Sequence, residues 1–110
     1  MLALVVSLVG CDREPGGGGK PVTGGALFAS LCASCHGPDG RPPEAMAVRL
    51  GVRDLTSSEF RARVTPGLVE QQVRKGAKNK LMPAFEGALD DAQIKAVAAF
   101  VASPQFLGPP

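Results

Sequence analysis

The stretch Cys32-Ala33-Ser34-Cys35-His36 holds two cysteines about one helical turn apart and the only histidine of the 110-residue chain. Such a pattern serves three chemistries: a redox dithiol, half of a zinc site, or an anchor for haem. A redox Cys-x-x-Cys belongs with a βαβ pattern. Here a helical run precedes the motif, and no alternating apolar stretch reads as a strand anywhere. Structural zinc takes four ligands, commonly from a second Cys or His pair. Once Cys32, Cys35 and His36 are used, no histidine remains, and the one other cysteine is Cys11 near the start of the chain. Haem attachment uses all three residues. The two thiols form thioethers with the vinyl groups, and the following histidine lies beneath the ring, where it can bind iron.

The flanks of the motif are helical. Leu27, Leu31 and Cys35 recur at i, i+4 and i+8, with Phe28 and Cys32 in the neighbouring row, so a helix is expected over 26–34. Thr56-Ser57-Ser58-Glu59 fits a capping box opening a short helix with Phe60 and Val64. Thr65-Pro66 reads as a cap followed by proline at the first helical position, and Gly76 ends that helix. Asp90 with Gln93 forms another capping box, and Leu89 with Ile94 a hydrophobic staple. Ile94, Val97, Ala98 and Val101 then make one apolar stripe, closed by Ser103-Pro104. The fold class is therefore all-α, with about four short helices and long connections.

Outside this region the chain changes character. Residues 1–10 form one uncharged apolar run, too short to span a bilayer, which needs about 20 residues, but suited to an export signal. Leu8-Val9-Gly10-Cys11 resembles the lipobox of bacterial lipoproteins, which implies cleavage before Cys11 and its acylation. No Lys or Arg precedes the run, a departure from such leaders, which normally begin basic, that a true start upstream of Met1 would explain. Asp12 resembles the inner-membrane retention signal of some lipoproteins. From Asp12 the sequence DREPGGGGKPVTGG has almost nothing to bury and reads as a flexible tether. The expected organisation is an export signal over 1–10, a lipidated Cys11 and tether over 11–23, a domain over 24–106, and a short tail over 107–110. A domain this small, with five Phe and no Trp or Tyr, generally needs a covalent or metal staple. The net charge of +2 gives no argument for nucleic-acid binding.

From Gly24 to about Pro104 the chain resembles the small monohaem class I cytochrome c family. The resemblance rests on Gly24 and Phe28, CHGPDG at 35–40, GVRDLTSSEF at 51–60, RKGAKNKLMPAF at 74–85 and LDDAQIKAVAAFVAS at 89–103. It implies the cytochrome c fold around one covalent haem c. It also implies that the first and last helices cross, with Gly24 and Phe28 near Phe100. Bis-histidine ligation is excluded by the single His36, which leaves Met46 and Met82 as internal thioether donors. Met46 follows His36 by ten residues, with little room to cross to the other ring face. Met82 precedes Pro83, which biases it to an extended backbone, and lies just before the last helix. By the resemblance, Met82 is the distal ligand, so Cys32, Cys35, His36 and Met82 bind the cofactor and His36 and Met82 its iron. In many relatives a proline carbonyl accepts from the proximal histidine's ring N–H. The matching stretch here, Val52-Arg53-Asp54-Leu55, has no proline, so the acceptor stays open.

These readings lead to a monomeric electron carrier rather than an enzyme. It is exported, lipid-anchored at the periplasmic or outer face of a bacterial membrane, and takes periplasmic or membrane redox proteins as partners, with no small-molecule substrate. Two alternatives stand beside it: an electron-transfer subunit of a larger oxidoreductase, or a five-coordinate haem enzyme or sensor. Between Arg61 and Lys80, six cations face only Glu70, which suggests steering towards an acidic partner or a solvated face with haem propionates neutralised.

Overall fold

A computed structural model describes residues 23–108. The export signal, Cys11 and most of the tether lie outside the described residues. The chain runs as α1 (Gly24–Leu27), a π-helical turn (Phe28–Cys32), α2 (Ala33–His36), α3 (Glu44–Leu50), α4 (Ser58–Arg63), α5 (Pro66–Lys75), α6 (Asp91–Ala102) and a terminal 3-10 turn (Pro104–Leu107). Among the described residues the only extended pairing is an isolated bridge between Glu86 and Leu89. The all-α expectation holds, and α1, the π turn and α2 follow one another as a single helical run into the motif.

Local chemistry sets most boundaries. The Thr23 hydroxyl accepts from the Ala26 N–H and starts α1 before the expected residue 26. Thr65 caps α5, Pro66 occupies its first turn, and Gly76 ends it, all as the sequence predicts. At α6 both halves of the Asp90/Gln93 capping box form, at 2.8 and 2.9 Å. The α4 cap differs from expectation. Ser57, not Thr56, accepts from the Phe60 N–H, because Thr56 gives both its N–H and its hydroxyl to Asp54. The helix α3 is absent from the sequence reading. It follows Pro43 and stops at Gly51, and apart from the half-buried Met46 its residues are exposed.

The core is the seam where α6 meets α1 and α5. Ile94, Val97, Ala98 and Val101 are all buried, as their spacing predicts, together with Leu27, Phe28, Val69, Val73 and Phe106. Gly24 lies so close to α6 that a Cβ there would collide with the Ala96 carbonyl and Phe100. Phe28, Phe100 and Phe106 close the seam, with ring centroids 5.1–6.1 Å apart and tilted or edge-on geometry.

Arg61 locks the last turn of α6 to the loop before α4. Its guanidinium donates to the carbonyls of Val101 (2.7 Å), Ser103 (3.0 Å) and Leu55 (3.4 Å), near the rings of Phe60 and Phe106. A cation at a helix C-terminus meets the carbonyls left without intrahelical donors. Arg74 does similar work between α5 and α6, pairing with Glu70 and Asp91.

Candidate haem site

Beside this seam lies a cavity of about 720 Å³, within the roughly 300–1,000 Å³ range of cofactor pockets. It gathers Cys32, Cys35 and His36 from the π turn and α2, Arg53 and Leu55 from the following loop, Phe60 and Val64 from the α4 region, and Val69 and Val73 from α5. Met82, Pro83 and Phe85 complete the wall from the loop before α6. The four residues expected to bind the cofactor thus meet at one cavity. Met46 does not line it.

The proximal side is set by a backbone carbonyl. His36 Nδ1 lies 3.1 Å from the Arg53 carbonyl oxygen. A carbonyl can only accept, so Nδ1 carries the proton and Nε2 is left with its lone pair free. Among the described residues Nε2 has no hydrogen-bond partner. The Arg53 carbonyl therefore fills the role that proline serves in the resembled family, and no side-chain pattern could have shown this. Burial holds His36 below its ordinary value, opposed by the bond to Arg53, which keeps the imidazole in the neutral form a metal requires.

The thiols fit the same chemistry. Cys32 and Cys35 are free, so no disulfide competes for them. Burial, and secondarily Cys35, pushes the Cys32 thiol up to about 11. A redox Cys-x-x-Cys activates its nucleophile by lowering that value, so the redox-dithiol reading loses support. Among the described residues no group of three or more His, Cys, Asp or Glu side chains could hold a metal ion by itself, so nothing there supports the zinc reading. What remains is two thiols and an imidazole with one free nitrogen, facing an apolar cavity with a thioether in its wall. That donor set fits a covalently attached haem.

The Met82 loop is held mainly by its backbone. Ala77 N–H donates to the Met82 carbonyl at 2.9 Å, and Phe85 N–H to the Val73 carbonyl at 2.9 Å. The Asn79 side chain accepts from the Leu81 N–H, and Lys80 adopts a positive φ of 63°. Gly76 is tight against this loop, because a Cβ there would meet the Met82 carbonyl and the Ala84 nitrogen.

The fold and the cavity define a small c-type cytochrome. Residues 19–101 match the family described as cytochrome C oxidase, cbb3-type, subunit III, and the chain belongs to that family. It is 33% identical over 89 residues to cytochrome c6 of Euglena viridis, covering 79% of this chain and 94% of that protein. It is 30% identical over 95 residues to the cbb3-type cytochrome c oxidase subunit FixPc of Rhizobium leguminosarum bv. viciae, covering 86% of this chain. The chain spans 31% of the length of FixPc. Among solved structures, the KustC0563 c-type cytochrome superposes with a TM-score of 0.64 at 28% identity, covering 73% of this chain and 94% of that one. A point mutant of the same cytochrome gives 0.63 at 29% identity, covering 73% and 95%. The chain is thus a monohaem class I c-type cytochrome that binds haem c covalently and carries electrons.

Proposed function

We propose that this protein is a membrane-tethered one-electron carrier in which Cys32 and Cys35 hold the haem covalently, His36 supplies the proximal iron ligand and Met82 the distal one. The observation that carries this reading is the meeting of all four side chains at one cavity, with His36 Nε2 left free by the bond to Arg53. Bound haem supplies one-electron exchange between ferric and ferrous iron. The chain's residues set the conditions for it. The Arg53 carbonyl fixes the His36 tautomer and ring orientation. The apolar wall of Leu55, Val64, Val69 and Val73 keeps water away. A thioether from Met82 favours the ferrous state and raises the potential. With His36 and Met82 both holding the iron there would be no open site for a substrate, which argues for a carrier over an enzyme or gas sensor.

Cys11 is the proposed lipid attachment site and the segment to residue 23 the tether, holding the domain near redox partners at an exported membrane face. Among the described residues no helix is long and apolar enough to cross a membrane. The cations narrow the partner surface. Arg61 and Arg74 are engaged within the fold, Arg63 pairs with Glu59, and Lys75 with Glu86. Lys78 and Lys80 are exposed, have no partner among the described ion pairs, and flank in sequence Asn79, a residue of the cavity wall. A partner with an acidic face fits them, and its association rate should fall with ionic strength. The match to FixPc favours a second reading, an electron-transfer module working with a cbb3-type oxidase.

The test begins with protein expressed with haem-maturation machinery. Intact mass should show one haem and an acylated Cys11, and the oxidised spectrum should show a sulfur-to-iron band. Met82→Ala should remove that band and lower the potential. An unchanged band and potential would rule out Met82, and rapid carbon monoxide binding to the reduced wild type would favour the five-coordinate alternative.

A further inference from the structure

We infer that Arg53 serves the haem twice, orienting His36 with its backbone carbonyl and holding a haem propionate with its guanidinium. The inference rests on the haem-binding reading of the cavity. Haem brings two propionate carboxylates to the edge of its pocket, and a carboxylate beside an apolar wall needs donors to replace lost water. This chain has no Trp and no Tyr to supply a ring N–H or phenol. The cavity lining contains no Asp or Glu, and its only side chains with a permanent positive charge are Arg53 and Arg63.

The two arginines are not equivalent. Arg63 shares its Nη2 with Glu59 at 3.3 Å. Arg53 has no carboxylate partner among the described ion pairs. Its guanidinium carbon lies 6.0 Å from the ring centroid of Phe60, another wall residue, which keeps the planar group at the cavity. A guanidinium presents paired donors in a fork that matches a carboxylate, so this position suits bidentate recognition. The backbone bond to His36 fixes the Cα of Arg53 on the proximal side. The side chain therefore starts from an anchored point, and less freedom is lost when it engages a carboxylate. A proline giving the same carbonyl bond would bring no charge.

The test uses the matured holoprotein, with covalent haem first verified by its pyridine haemochrome spectrum. Midpoint potentials are compared for wild type, Arg53→Gln, Arg53→Lys and Lys95→Gln at fixed pH and ionic strength. Lys95 is exposed on α6 and away from the cavity wall, so it controls for the loss of one positive charge. Removing the Arg53 cation leaves a propionate uncompensated and favours ferric iron. Arg53→Gln should then lower the potential by more than Lys95→Gln, with Arg53→Lys between wild type and Arg53→Gln. In redox-difference infrared spectra of haem labelled with ¹³C at the propionates, the labelled carboxylate bands should move in Arg53→Gln and stay fixed in Lys95→Gln. A potential matching that of Lys95→Gln, or unmoved carboxylate bands, would overturn the assignment. So would a potential change seen only with an altered His36 spectrum, since the carbonyl would then be its cause. Wild type without covalent haem would overturn the cofactor reading itself, a failure visible before any variant is compared.

Discussion

The two sides of the cavity are built differently. The proximal side rests on the core: α1 and the π turn pack on α6 through Gly24, Phe28 and Phe100, and Arg61 ties the Leu55 loop to the end of α6. The distal side is a loop from 77 to 85 whose residues are mostly exposed and whose shape depends on a few backbone bonds. His36, the proposed proximal ligand, is thus positioned by packing, while Met82, the proposed distal one, is positioned by turn chemistry next to Gly76. Packing loses its free energy cooperatively, whereas a loop can rearrange alone. Perturbing the proximal side should therefore reduce global stability, and, on the proposed ligation, perturbing the distal side should change the iron's coordination first.

The largest break in that contrast comes from Phe28→Ala. Phe28 is 2% exposed and touches both Phe100 and Phe106. Deleting such a ring costs about 3–5 kcal/mol. In urea unfolding of the holoprotein the midpoint should fall strongly while the sulfur-to-iron band of the folded fraction persists. A change in that band with little loss of stability would invert the comparison.

Gly76→Ala attacks the other side. Gly76 has φ of 70° and ψ of −169°, a region almost restricted to glycine, and a Cβ would press on the Met82 carbonyl. The expected cost is about 1–3 kcal/mol. Its signature should be spectral: a weakened sulfur-to-iron band in protein whose haem is still covalently attached. An intact band would show that the Met82 loop does not depend on this close approach.

The same contrast explains what the sequence disclosed. Helix ends governed by side chains were readable, as at Thr65-Pro66 and Asp90/Gln93, because a cap has a residue signature. The stripe Ile94, Val97, Ala98 and Val101 was readable because burial follows the helical period. The α4 cap was displaced by one residue because Thr56 had a stronger local partner in Asp54, and two neighbouring hydroxyls compete equally on paper. The helix α3 was missed because it buries no stripe, so periodicity carries no signal there. The His36 acceptor was unreadable in principle: any residue has a carbonyl, and only the fold brings that of Arg53 within 3.1 Å.

Lys80 offers a milder test of the distal side. It is the only described non-glycine residue with positive φ, two positions before Met82. A left-handed conformation costs a side-chain-bearing residue roughly 1–2 kcal/mol, partly offset by the greater freedom of glycine when unfolded. Lys80→Gly should therefore raise stability by less than ~1 kcal/mol, seen as a small rise in the urea midpoint. It should also reduce the rate with an acidic partner at low salt, because it removes an exposed cation next to the cavity-wall residue Asn79. A lower midpoint would mean that Lys80 packing outweighs its backbone strain.

The smallest effect sharpens the proximal side through acid. The Asp54 carboxyl is held below its ordinary value of 3.8, first by the Thr56 hydroxyl and then by the Thr56 N–H, at 2.6 and 2.8 Å. Its folded value lies below its unfolded one, so its contribution to stability is complete above the unfolded value. That contribution is lost as pH falls through the folded value. Asp54 directly follows Arg53, so its protonation loosens the loop that presents the carbonyl to His36. Thr56→Val removes the hydroxyl and keeps the N–H. Carboxyl NMR should then place the Asp54 titration nearer its ordinary value, and stability in acid should fall over a narrower range. Because the distal loop takes no part in this bond, the sulfur-to-iron band should be the same in variant and wild type at neutral pH. An unmoved Asp54 titration would show that the N–H alone sets the shift, and that the hydroxyl of Thr56 contributes nothing to the proximal frame.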